Sequence, residues 1–144
     1  MKRIYIAAVV ICALSGIGCV HAVQSSPPIG VAVSGNSSIS RAFKNRKGNV
    51  QVEGEGVVIR LLADDLSGSR HQRFILRLAS GQTLLIAHNI DIAPKIAGLK
   101  KGDTVRFCGE YVWDEKGGMV HWTHHDPKGH HTAGWLKHDG RTYQ

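Results

Sequence analysis

A chain of 144 residues has room for one domain and one small core, and 42% hydrophobic with 20% charged residues is an ordinary globular balance. One domain is therefore the expectation for these residues, and no internal repeat is visible. A formal charge of +7 favours polyanions such as nucleic acid, lipopolysaccharide or membrane headgroups as partners and carries no information about fold.

The chain opens with Lys2 and Arg3, an apolar run from Ile4 to Leu14 and small residues ending at Val20-His21-Ala22. This order predicts a secretory signal peptide over residues 1–22, cut after Ala22, and hence a periplasmic or secreted protein. The run is shorter than the ~20 apolar residues of a membrane span. Lipidation at Cys19 is the competing expectation, and Gly16 fits the lipobox poorly. Cleavage removes Cys12 and Cys19, which leaves Cys108 without an intramolecular partner, and losing Lys2 and Arg3 lowers the charge to +5.

Residues 23–37, rich in Ser, Pro and Gly, read as a flexible tether, and residues 38–144 as the folded domain. Ile39, Ala42, Phe43 and Arg46 have helical spacing, with Ser37 or Ser38 as N-cap and Gly48 past the end. From Asn49 the period becomes two. Val50 and Val52 share one parity, Val57, Ile59 and Leu61 the other, and Gly54 and Gly56 between them suggest a bulge that switches faces. The segment from Arg70 through Leu78 forms a second strand, Gln82 to Ile90 a third after the turn at Ser80-Gly81, and Ile92, Ile96 and Leu99 mark a short helix. Thr104 to Trp113 give a fourth strand, Met119 to His125 a fifth, and Asp139-Gly140 a type I′ hairpin turn. Three strands, a helix and two strands is the order of an oligonucleotide/oligosaccharide-binding (OB) barrel, so the expected class is all-β with small α content: a five-stranded OB-like barrel with an added N-terminal helix and C-terminal hairpin.

The segments "VEGEG", "RHQRFIL", "LLIAHNIDIAPKI", "GDTVRFCGEYVW", "GGMVHWTHHDP" and "GWLKHDGRTY" together resemble a bacterial family of small exported proteins of unrecorded function. The resemblance runs from Ile39 to Gln144. It implies an OB-like barrel and export, and supplies no accepted catalytic or binding residue. The chain departs from it at Cys108, where an aromatic is more usual.

Six of the nine histidines lie between Gly117 and Gly140. Ligands of one zinc ion must converge at ~2.0–2.1 Å, whereas His121 and His125 on a regular strand stand ~13 Å apart. A local metal site, with zinc as the natural ion, is instead expected in the bent loop through His125, Asp126, His130 and His131. For acid–base chemistry the candidates are His88, His121 and His124, with Glu110 or Asp126 orienting His121. His88 shares parity with Leu84, Ile86 and Ile90, which equally fits a core histidine satisfied by a carbonyl. For binding, the outer face of strands two and three presents Arg70, His71, Arg73 and Arg77, with Trp122 or Trp135 to stack on bases. No phosphate loop, Rossmann fingerprint, GxSxG elbow or HExxH pair is present. The leading expectation is an exported OB-fold protein binding an anionic oligomer, most plausibly nucleic acid. The alternatives are a histidine-dependent, metal-assisted phosphodiesterase and an envelope structural or partner-binding module.

Overall fold

The computed structural model describes residues 32–144; the expected signal peptide and most of the expected tether lie outside the described residues. Helix α1 spans Ala32–Lys44, and seven strands follow: β1 (Val50–Leu61), β2 (His71–Leu78), β3 (Thr83–Asn89), β4 (Thr104–Val112), β5 (Met119–His121), β6 (Trp135–His138) and β7 (Arg141–Tyr143). The sheet runs β1-β2-β3-β5-β4, and β4 pairs back with β1, so five strands close a barrel. β3 and β5 are parallel and the other pairs antiparallel. This is the OB-like all-β architecture that the strand order predicts.

Alternation builds the interior. Phe74, Leu76, Leu78, Leu84, Ile86, Val105, Phe107, Tyr111 and Val120 are buried inside the barrel, and each such side chain contributes ~1.5–3 kcal/mol relative to exposure. Ile39 and Ala42 of α1 join the same core. The Trp113 indole N–H donates to the Phe43 carbonyl at 3.1 Å and pins the helix end beside β4.

Four local expectations are corrected. The helix begins by Ala32, inside the stretch whose composition suggests a tether, so Ser37 and Ser38 lie within it rather than at its cap. Tertiary bonds override weak propensity here: the Asn36 amide donates to the Glu55 carbonyl at 3.1 Å and accepts from the Glu55 N–H at 3.2 Å. The helix ends before Gly48, because Arg46 adopts φ 51° while Lys47 N–H bonds the Ala42 carbonyl and Arg46 N–H that of Phe43, a Schellman cap.

β1 does not switch faces at its glycines. Val50, Val52, Gly54, Gly56 and Val58 all point inward and Val57 outward; the register with β2 shifts only between Val58 and Arg60, beyond which Leu61 comes opposite the buried Phe74 while staying 46% exposed. Gly54 faces inward because a Cβ there would lie 2.8 Å from Phe107 Cζ and 3.0 Å from Ile39 Cδ1.

No helix links β3 to β4; residues 90–103 form successive turns. Pro94 removes a helical donor, Gly98 has φ 75°, and Gln72 supplies the bonds a helix would have made, donating to the Ile96 carbonyl at 3.0 Å and accepting its N–H at 2.9 Å. Ile96 and Leu99 are still buried, whereas Ile92 is 46% exposed.

Finally, β5 stops at His121, because Trp122 takes φ 51° and turns the chain. The edge of β4 that β5 leaves free is taken by β6, which pairs Arg106, Phe107 and Cys108 with Lys137, Leu136 and Trp135. Residues 122–134 are thus an excursion between two strands that share one edge. It closes where Gly134 N–H bonds the His124 carbonyl at 2.9 Å. The β6–β7 hairpin turns at Asp139 and Gly140 with φ 46° and 74°, as expected for type I′.

Candidate functional site

α1 packs against the barrel end at the β2–β3 and β4–β5 turns, where Ser40 and Gln82 are 3.4 Å apart and Gln82 reaches the Gly117 carbonyl at 2.7 Å. The histidines gather at the other end, where β3 and β5 finish and β2 begins.

His88 is fully buried at the last inward position of β3. Its Nε2–H donates to the Pro94 carbonyl at 3.1 Å, so Nδ1 is the acceptor and takes the Thr123 hydroxyl proton at 2.8 Å. Burial pushes its pKa from the ordinary 6.5 to about 4. His88 is therefore a neutral, satisfied plug in the barrel mouth. His124 is also buried; its Nδ1–H donates to the His125 carbonyl at 2.8 Å and its ring centre lies 6.5 Å from that of His88.

His121 points the opposite way. On the outer face of β5 it sits across from Glu110 of β4, with Nε2 3.5 Å from one carboxylate oxygen, while His131 Nδ1 is 3.7 Å from the other. That Nε2 is buried and has no hydrogen-bond partner. Burial lowers the His121 pKa, Glu110 opposes the shift, and neighbouring His131 and His71 add to it. The three histidines expected to act together thus divide between interior and surface. The pair expected from sequence, His121 with Glu110, is brought together.

The excursion is held by Asp126. Its Oδ1 accepts the Lys128 N–H at 2.9 Å, and its Oδ2 accepts those of His130 and His131 at 2.6 and 2.9 Å. These bonds, that from Lys128 first, hold the carboxyl pKa down at about 2. Asp126 serves as a loop tie, while His125 and His130 are exposed. His131 is directed back onto Trp122, the rings stacked 3.7 Å apart and 15° from parallel. Among the described residues no three His, Cys, Asp or Glu side chains are arranged to hold a metal ion.

The expected cationic face of β2 is largely committed. Arg70 pairs with Asp91 at 2.6 Å, and Arg73 donates through Nε and Nη2 to the Ala63 carbonyl, both at 3.1 Å, with Asp65 3.7 Å away. His71 Nδ1–H donates to the Ser69 carbonyl at 2.7 Å. Arg77 stays exposed.

A second outer strip brings the tryptophans together. Along β4 the outward residues Arg106, Cys108 and Glu110 stand opposite Lys137, Trp135 and His121. The Lys137 ammonium lies 4.4 Å, and the Arg106 guanidinium, which pairs with Glu53 at 3.1 Å, 5.9 Å from the centre of the Trp135 ring. The strip therefore runs from two cations over Trp135 to the Glu110–His121–His131 group and its Trp122 stack. Sequence reasoning missed it because β6 was read as a separate hairpin. It also missed Thr123 and Gln72, although Gln72 shares the parity of Phe74 and Leu76, and a polar residue at a core position was the available signal.

One family model, described as Protein of unknown function (DUF3465), matches residues 22–144. The chain belongs to that family. This bears out membership of an uncharacterised family. No curated protein matches the chain.

Proposed function

We propose that this DUF3465 member binds an anionic oligomer, most plausibly single-stranded nucleic acid, along the outer strip of β4, and that it does so outside the cytoplasm, as its N-terminal residue order predicts. One observation carries the reading: two aromatic platforms lie on one face with a cation beside them, Trp135 next to the Lys137 ammonium and the Trp122–His131 stack next to the Glu110–His121 pair. Stacking on such rings is sequence-tolerant and contributes ~1–3 kcal/mol per base, while cations track phosphates. The interface thereby shifts from the β2–β3 face, whose Arg70 and Arg73 are occupied, to β4 and β6, where Arg106 pairs with Glu53 but Lys137 is exposed and without an ion pair among the described residues.

Fluorescence anisotropy with a labelled single-stranded DNA or RNA at low ionic strength tests this. Affinity should fall as salt rises, and Trp135→Ala and Trp122→Ala should each weaken binding about five-fold or more, given that stacking scale. Arg77→Glu should have a smaller effect. Absence of salt-sensitive binding would overturn the proposal.

A second reading, phosphodiester cleavage, is favoured by the unpartnered His121 Nε2 facing Glu110 with His131 on the other oxygen. A neutral histidine beside a carboxylate is suited to proton abstraction. Cleavage of labelled RNA or DNA, lost in His121→Ala, would establish it; intact substrate with and without chelator or added divalent metal would count against it. The envelope-structural alternative predicts that neither tryptophan variant changes any binding.

A further inference from the structure

Away from the histidines, a groove of about 880 Å³ lies between α1 and the β1–β2 ribbon. Its floor includes Val57, Ile59 and Ala79, and Val57 is 43% exposed, a large apolar side chain left facing the opening. Val57 is outward because β1 keeps one parity from Val50 to Val58, and it stands directly between Arg77 of β2 and Thr104 of β4. On the opposite wall α1 presents Ser37, Arg41 and Lys44, spaced by four and three residues and so on one helix face. Its other face carries Ile39 and Ala42 into the core.

The charges around this apolar floor do not cancel. Arg41, Lys44 and Arg77 line the groove, and none has an ion pair among the described residues. Glu55 is the single carboxylate in the lining. No aromatic side chain lines the groove, so it offers no stacking surface for a base. Apolar walls with a few convergent polar groups, in a volume of roughly 300–1,000 Å³, describe a small-molecule site.

We propose that this groove binds a long-chain carboxylate, its acyl chain along Val57, Ile59 and Ala79 and its head group between Arg77 and the Arg41–Lys44 face of α1. The chemistry follows from the pairing of an exposed hydrophobic floor with uncompensated cations at its rim. A polyanion would leave the floor wet, and a neutral hydrocarbon would leave the cations unused. The site is independent of the β4 strip, so the two proposals stand or fall separately.

The full-length protein titrated calorimetrically with palmitate below its micelle concentration provides the test. One palmitate should bind per chain, hexadecanol about ten-fold or more weaker, on the scale of one charge-assisted hydrogen bond. Acetate and inorganic phosphate should not bind. Arg77→Glu and Lys44→Glu should each weaken palmitate binding by a similar factor. Val57→Asp, at an exposed position, should abolish it with the circular dichroism spectrum unchanged, while Trp135→Ala should leave it unaltered. Equal affinity for hexadecanol, binding of phosphate alone, or association with anionic vesicles without binding of monomeric palmitate would each overturn the proposal, as would no binding at all.

Discussion

Thr123 shows how much a single hydroxyl can decide. It is fully buried, and its proton goes to His88 Nδ1, which the Pro94 carbonyl has already committed to accepting. Thr123→Val keeps the shape and removes the donor, so the buried nitrogen is left unsatisfied at a cost of about 1–3 kcal/mol. The urea midpoint should fall accordingly, and Thr123→Ser should recover most of the loss. Period-two alternation made His88 legible as a core residue, because it continues the Leu84 and Ile86 parity. Thr123 was not legible, since its place depends on Trp122 adopting φ 51°. A bulky residue in that conformation is a genuine outlier and no pattern of apolar residues announces it. The same turn explains why the metal argument from strand spacing does not apply beyond His121: the strand it assumed has ended.

At the scale of elements, the strands were readable wherever one face is buried along their length, and the hairpin wherever Asp-Gly demanded positive φ. Elements held by distant partners were not readable. The turns of residues 90–103 depend on Gln72, twenty-four positions away from Ile96, and the first turns of α1 on the Glu55 backbone. The shared edge of β4 is another such case, for it needs Gly134. A Cβ at that residue would collide with the Trp122 and Cys108 carbonyl oxygens. Gly134→Ala should therefore push β6 off β4 and cost about 1–3 kcal/mol or more, as overpacking does, whereas exposed Thr132→Ala should leave the thermal midpoint unchanged. Within the excursion, Asp126→Ala should speed amide exchange at residues 128, 130 and 131 and loosen the Trp122–His131 stack, read as a shift in tryptophan emission. If the stack is the base platform, nucleic-acid affinity should fall with it.

Over the whole molecule, five groups with lowered pKa values shape the response to acid, the histidines His88 and His121 in one window and the carboxylates Asp91, Asp103 and Asp126 in a lower one. His88 has a folded pKa of about 4 against an ordinary 6.5, so the unfolded chain binds its proton first. Stability from the neutral buried ring is full above 6.5 and is lost as pH falls towards 4, by up to roughly 3 kcal/mol. Asp103 and Asp126 are both depressed to about 2 from 3.8, the former chiefly by the Lys100 side-chain hydrogen bond with His138 also contributing, the latter by backbone N–H groups. Their contribution is full above 3.8 and disappears as pH falls through about 2. Urea midpoints between pH 7.5 and 4.5 should therefore drop in the native protein, and His88→Gln should flatten that slope even if its midpoint is lower throughout. An unchanged slope in the variant would place the acid response elsewhere.

The class of fold was legible at this scale because five amphipathic strands in that order have few ways to close. Which outward cations are free was not, since charge counts along β2 do not reveal that Arg70 is paired with Asp91 and Arg73 bonded to the Ala63 carbonyl.

Because β5 and β6 grip the same edge of β4, the thirteen residues from Trp122 to Gly134 enter and leave the barrel at neighbouring points on one seam. Such a seam is a natural graft junction. Residues between His125 and Ala133 can be lengthened, shortened or exchanged while the pairings on either side stay in register. The barrel would then act as a fixed handle, and the loop as the replaceable tool whose chemistry selects the target.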